Sequence, residues 1–267
     1  MNVLITGALS GIGRAVTNYY TLKGVNVYAI DLLDTCDIKC ANYYKADITD
    51  TSALNKVYQD LVNKNIIFDA IVNVAGIFFI DSFIEIDEDS LKKIFDVNLM
   101  GAILVNKTFY SLLNKKGKII ITTSEVAKLS PMPFNSIYNV TKTALDSYAQ
   151  GLRQELNLLG QKVITIRPGA FNTSLSCGAL TKTKELADKT ILYKQQSYKF
   201  YRIVKTFMGN PKSPDKIAKI YYKALNSKGN KIVYKKNTNL LLKLLNIFPD
   251  RFQCFIIKLL LKPKKTK

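Results

Sequence analysis

Histidine is absent from all 267 residues, and that omission removes more chemistry than any other feature of the sequence. Without imidazole there is no Ser-His-Asp or Cys-His nucleophile, and a zinc site would need thiolates alone. Cysteine is too scarce to supply one. Cys36, Cys40, Cys177 and Cys254 show no metal-ligand spacing and read as reduced thiols of a cytoplasmic protein. No metal is expected. No apolar run approaches the ~18 residues that cross a bilayer, and Asn2 to Thr6 reads as a β-strand rather than as part of a signal peptide.

Acidic residues are scarce in one part only. Residues 1–159 hold 15 Lys/Arg and 16 Asp/Glu, whereas residues 160–267 hold 24 and 4, so the net charge of +19 lies wholly in the last two fifths. Such asymmetry points to an anionic partner for that part, a membrane surface or an acidic carrier protein, or else to a lysine-rich surface that serves solubility alone. Nucleic acid is not the expected partner. With 48% hydrophobic residues the chain can bury a sizeable core.

What is present is a strand-helix alternation. Strands are expected at 2–6, 25–30, 43–46, 68–74, 118–123, 162–166 and 231–234. Helices are expected at 14–23, 52–63, 89–113, 136–159 and 214–226. Short connections between them predict an α/β, Rossmann-type, doubly wound parallel sheet in a single domain covering 1–267. Residues 170–212, with Tyr193, Tyr198, Phe200, Tyr201 and Phe207, are expected to form one or two helices covering the substrate. Pro249 divides the basic, apolar tail at 239–267 into two amphipathic helices.

The first strand runs into Thr6-Gly7-Ala8-Leu9-Ser10-Gly11-Ile12-Gly13 and then a helix. Glycines there permit a tight turn, and the helix N-terminus offers unpaired N–H groups to a diphosphate. An acidic residue, Asp31, ends the next strand eighteen residues past Gly13, which completes a dinucleotide fingerprint. Its carboxylate suits the ribose hydroxyls of NAD and repels the extra phosphate of NADP. Arg14 keeps NADP open as the alternative. Asp47 and Ile48, at the end of strand three, are placed to face the adenine, a turn role for Asp47 being the other reading. In the later helix, Tyr138 and Lys142 stand at i and i+4 on one face. A cation there lowers the pKa of a phenol toward the working pH.

Six motifs in order carry a family resemblance: Thr6-Gly7-x-x-x-Gly11-x-Gly13, Asn73-x-Ala75-Gly76, Asn98, Ser124, Tyr138-x-x-x-Lys142 and Pro168-Gly169-x-x-x-Thr173. Together they resemble the classical short-chain dehydrogenase/reductase family. The resemblance implies that Tyr138 exchanges a proton with the substrate oxygen. Lys142 would tune that phenol and bond the nicotinamide ribose, Ser124 would donate to the carbonyl or alkoxide oxygen, and Asn98 would hold a relay water. Pro168 to Thr173 would contact the carboxamide. NAD is the implied cofactor, and a homo-oligomer is expected. Two departures stand out. Val74 replaces a second asparagine, and Ser124 lies 14 residues before Tyr138, one more than is usual, with Glu125 at the usual position. An ionised glutamate cannot donate, so a one-residue insertion in the Pro131/Pro133 loop is expected, with Thr123 in reserve.

The segment Pro133 to Tyr138, with the tail from Lys231 through Leu240 to Arg251, looks like the hydroxysteroid and retinol dehydrogenase branch. Met132, Phe134, Leu175 and the aromatics from Tyr193 to Phe207 are candidates to line a pocket for a large apolar alcohol or ketone. The rivals are a 3-oxoacyl-carrier-protein reductase and a non-catalytic NAD-binding or membrane-associated protein. The tail, with Lys262, Lys264, Lys265 and Lys267, is expected to lie in an anionic membrane interface, to cover substrate or to form a subunit contact. The expected location is the cytoplasm, with peripheral attachment to the inner membrane surface as an option.

Overall fold

The computed structural model describes residues 1–38, 41–207 and 212–263. Of the residues named above, Cys40, Lys264, Lys265 and Lys267 lie outside the described residues, as do the side chains of Leu175, Cys177 and Phe207. Among the described residues, seven strands form one parallel sheet: β1 (Asn2–Thr6), β2 (Asn26–Asp31), β3 (Ala41–Lys45), β4 (Phe68–Asn73), β5 (Leu113–Thr122), β6 (Lys162–Pro168) and β7 (Val233–Lys236). Their order is β3-β2-β1-β4-β5-β6-β7. The chain therefore reverses its winding between β1 and β4, where open α/β sheets place their ligand crevice.

Alternation along β1 explains why the sheet is covered twice. Val3 and Ile5 point into one core with Val16 and Tyr20 of α1 (Gly11–Leu22) and Ile217 and Tyr221 of α8 (Asp215–Leu225). Leu4 points into the other, with Leu54 and Leu61 of α2 (Thr51–Asn63), Val105 and Phe109 of α4 (Gly101–Phe109) and Leu145 and Ala149 of α5 (Ser136–Asn157). A parallel strand buried on both faces must be apolar throughout, which is how β1 reads. Local signals set the helix starts. Asp50 caps α2 by accepting from Ser52 N at 2.8 Å, and Asp87 caps α3 (Glu88–Phe95) by accepting from Ser90 N at 2.7 Å.

Several boundaries differ from expectation. The helix expected over 89–113 is interrupted by a π-helical turn at Asp96–Met100, and β5 begins at Leu113. The first helix begins inside the glycine motif, at Gly11, and the last strand lies two residues later than expected, at Val233–Lys236. The covering segment is two helices, α6 (Ser174–Lys189) and α7 (Lys194–Phe207). The tail is α9 (Leu240–Leu245) and α10 (Asp250–Leu261), parted at Pro249 as its missing N–H requires. Among the described residues, no helix is long and apolar enough to cross a membrane.

Candidate active site

At the switch point, the loop after β1 is shaped by close backbone approaches. A Cβ on Gly13 would lie 1.8 Å from the Gly7 carbonyl oxygen, and one on Gly7 would lie 2.7 Å from Ala75 Cα. Gly7 also has φ +64°, the left-handed region that side chains disfavour. Thr6 Oγ1 accepts from Val74 N at 3.3 Å and Ala75 N at 3.5 Å, joining the ends of β1 and β4. Ser10 precedes α1 without a side-chain cap, and no acidic residue occupies the first turn. The helix dipole therefore meets no resident anion in that turn, and Gly11 (φ +49°) lets the chain pass within van der Waals distance of Thr173. These features fit a nucleotide diphosphate.

Asp31 closes the ribose end. Its Oδ2 accepts from Leu9 N at 2.8 Å, and its Oδ1 accepts from Leu32 N at 2.8 Å. A carboxylate offers about four lone-pair sites, so acceptor capacity remains for sugar hydroxyls. Among the described residues, the neighbouring cations are paired. Arg14 makes a bidentate pair with Asp37 at 2.7 and 2.6 Å, and Lys45 pairs with Asp34.

Three of the expected cofactor residues face elsewhere. Asp47 Oδ1 accepts from both Thr49 N and Thr49 Oγ1 at 2.8 Å, the turn role. Ile48 is a core residue, 8% exposed, whose Cδ1 lies where a Cβ on Gly101 would clash at 2.5 Å. The Asn73 side chain is buried and donates to Asn106 Oδ1 at 2.8 Å.

The proton-handling residues do converge. α5 carries Tyr138 and Lys142 on one face, and Lys142 Nζ lies 5.8 Å from the Tyr138 ring centroid. Ser124 follows β5, its Oγ accepting from Val126 N at 3.4 Å, and stands near enough to Tyr138 to favour the ionised phenol. Between Ser124 and Tyr138 the chain makes a 3-10 turn at Glu125–Lys128, and Phe134 has a φ of +64°, unusual for a bulky residue. Thr123 points away, donating to Asp146 Oδ1 at 3.3 Å, and so is not the serine's substitute. Glu125 accepts from Asn239 N at 2.5 Å and lies 3.0 Å from where a Cβ on Gly169 would sit. Pro168 and Gly169 thus border the same site.

Asn98 sits in the π-helical turn, a widening often found at functional sites. Its Oδ1 accepts from Ile77 N at 2.8 Å, and its Nδ2 donates to Ile77 O at 2.9 Å and Thr141 Oγ1 at 3.1 Å. A Cβ on Gly76 would lie 3.1 Å from Asn98 Oδ1 and 3.2 Å from Lys142 Nζ. Glycine therefore keeps a side chain from crowding the gap beside these two polar groups.

Burial, not the neighbouring cation, governs the two titrating groups. It pushes the Tyr138 phenol up to about 12, opposed by the Ser124 hydrogen bond and reinforced by the Glu125 charge. It pulls the Lys142 ammonium down to about 8. The expected lowering of Tyr138 by Lys142 is overturned in the free protein because desolvation penalises both charged forms. Sequence reading also missed Phe78, whose ring packs edge-on against Tyr138 at 4.8 Å, and Thr122, whose carbonyl accepts from Lys142 Nζ at 3.5 Å. Neither position carries a pattern that sets it apart.

A family model for short chain dehydrogenases matches residues 1–183. The chain belongs to the short-chain dehydrogenase family. It is 32% identical over 194 residues to the NADPH-dependent 1-acyldihydroxyacetone phosphate reductase of Schizosaccharomyces pombe, covering 69% of this chain and 64% of that protein. It is 30% identical over 189 residues to mouse estradiol 17-beta-dehydrogenase 2, covering 65% and 49%. The matched part therefore spans about half to just under two thirds of these relatives' length. A short-chain dehydrogenase from Streptomyces avermitilis superposes with a TM-score of 0.74 at 21% identity, over 96% of this chain and 94% of that one, which shows the shared fold.

Proposed function

We propose that this short-chain dehydrogenase is an NAD-dependent oxidoreductase that interconverts a secondary alcohol and a ketone, its substrate apolar. The observation that carries the reading is the meeting of Ser124, Tyr138, Lys142 and Asn98 beside the glycine loop at the sheet's switch point. When bound, the nicotinamide dinucleotide supplies or accepts the hydride.

The chain's own residues handle the rest. Tyr138 remains protonated at neutral pH in the free protein, so it is set to donate its proton to the oxygen of a ketone being reduced, and to take it back in oxidation. Ser124, beside that phenol, donates to the same oxygen as charge develops. Lys142 reaches the ribose side of the crevice and returns the proton to Tyr138. The gap at Gly76 gives that proton an exit between Lys142 Nζ and Asn98 Oδ1. Thr6, Gly7, Ser10, Gly11, Ile12 and Gly13 hold the diphosphate, Asp31 the adenosine ribose, Ala75 and Gly76 the crevice floor, and Pro168, Gly169 and Thr173 the carboxamide.

NAD is favoured because the ribose end presents Asp31 while Arg14 and Lys45 are already engaged by Asp37 and Asp34. An extra phosphate would have to break one of those pairs. An apolar substrate is favoured because Phe78, against Tyr138, also packs on a cluster containing Ile80, Phe134, Leu186 and Phe200. Titration of the protein with NADH and NADPH tests the cofactor, NADH binding at least about tenfold tighter. A preference for NADPH, the cofactor of the yeast relative, would overturn it. Turnover with NAD across hydroxysteroids, retinoids, acyl thioesters and sugars tests the substrate class, and activity on sugars alone would refute it.

A further inference from the structure

We infer that the C-terminal helix pair α9–α10 is a docking surface for an anionic lipid bilayer, set beside the apolar cluster that reaches Tyr138 through Phe78. α10 has two apolar stripes where packing needs only one. Gln253, Ile257 and Leu261 recur at i, i+4 and i+8 and face inward; Ile257 and Leu261 join the cluster of Ile80, Phe134 and Phe200. Phe252, Phe255 and Leu259 recur at i, i+3 and i+7 and are 42%, 59% and 59% exposed. On α9 and the turn after it, Leu240, Leu244 and Ile247 are exposed as well. Phe248, Phe252 and Phe255 stack in a row, with centroids 4.9 and 6.4 Å apart. Scattered exposed apolar residues need no explanation, but a contiguous array on adjacent helices does.

Charge selects the occupant. Residues 226–267 hold 11 Lys/Arg and a single acidic residue, Asp250. On α10, Arg251, Lys258 and Lys262 form a stripe along the flank of the exposed aromatic face. An apolar face edged by cations is what an interfacial helix presents to anionic headgroups. A second copy of the chain is a poorer fit, because a two-fold contact through this face would set its cations against one another. The surface is also tied to the site. Asn239 N donates to Glu125, the neighbour of Ser124, and α10 packs on the cluster that reaches Tyr138 through Phe78. A lipid-soluble alcohol or ketone leaving the bilayer would meet this cluster first; that last step rests on the proposed function, while the docking does not.

Co-sedimentation of the full chain with vesicles separates the possibilities without reference to turnover. Vesicles of equal parts phosphatidylcholine and phosphatidylglycerol should carry the protein down at low salt, at least about tenfold more tightly than phosphatidylcholine alone. Phe252→Glu with Phe255→Glu, both on the exposed face, should lose that binding while leaving NADH affinity and circular dichroism unchanged. Lys258→Glu with Lys262→Glu should remove the preference for anionic lipid. Wild-type protein that stays in the supernatant with anionic vesicles would overturn the inference. So would a dimer on gel filtration that the Phe252/Phe255 variant turns into a monomer, because a second copy would then cover the face.

Discussion

Lys142 carries a charge in a place that resists it, and stability as a function of pH exposes the cost. The side chain is 4% exposed, with Nζ bonded to the Thr122 carbonyl at 3.5 Å, and burial takes its pKa from 10.5 to about 8. Below pH 8 both the folded and the unfolded chain hold the proton, so the folded state bears the full penalty. Between pH 8 and 10.5 the unfolded chain keeps the proton that the folded chain has released. The unfolded state then binds more protons, and stability must rise with pH. A shift of that size corresponds to about 3 kcal/mol when complete, of which roughly 2 kcal/mol appears between pH 7 and pH 9.5. Lys142→Met removes the titration while keeping most of the volume. Urea unfolding of both proteins at pH 7 and pH 9.5 should show wild type gaining about 2 kcal/mol relative to the variant over that interval. The buried Tyr20 and Tyr221 have pKa values raised by desolvation and oppose this only at higher pH; they are common to both proteins and cancel in the difference. Tyr138, beside Lys142 and pushed up to about 12, is still protonated at pH 9.5. A gap that stays constant with pH would show that Lys142 is not desolvated as the structure has it.

Two further substitutions test the site. Gly76→Ala places a methyl group 3.1 Å from Asn98 Oδ1 and 3.2 Å from Lys142 Nζ; closing the gap should lower kcat at least about tenfold with NADH affinity little changed, and loss of NADH binding instead would place Gly76 against the cofactor rather than in the proton path. Glu125→Gln retains an acceptor for Asn239 N but removes a charge that raises the Tyr138 pKa. The acidic limb of kcat/KM for alcohol oxidation, set by ionisation of Tyr138 as the base, should therefore move to lower pH, and an unmoved limb would remove Glu125 from the electrostatics of the site.

The glycine loop was legible because its requirements are local: Gly7 and Gly13 stand where a Cβ would strike backbone, and no distant residue can alter that. The sheet was legible for a similar reason, since β1 must be apolar on both faces. The serine was harder. Spacing left Ser124, Thr123 and Glu125 in competition, and what sets them apart is their partners in the folded chain, Val126 N for Ser124, Asp146 for Thr123 and Asn239 N for Glu125. Asp47, Ile48 and Asn73 were read from motif position, whereas their side-chain neighbours, Thr49, Gly101 and Asn106, are set by the assembled packing. The shift of Tyr138 was read with the wrong sign because a cation nearby is visible in sequence, whereas the degree of desolvation is a property of the assembled core.

The central claim is that Tyr138 is the proton donor and acceptor of an NAD-dependent oxidoreductase. Tyr138→Phe removes one oxygen from a side chain whose ring already packs on Phe78, so the fold and the nucleotide crevice should persist. With NADH titrated by fluorescence and turnover followed on the best alcohol found, the variant should bind NADH as wild type does and lose at least about a hundredfold in kcat. Substantial turnover at unchanged NADH affinity would contradict the account.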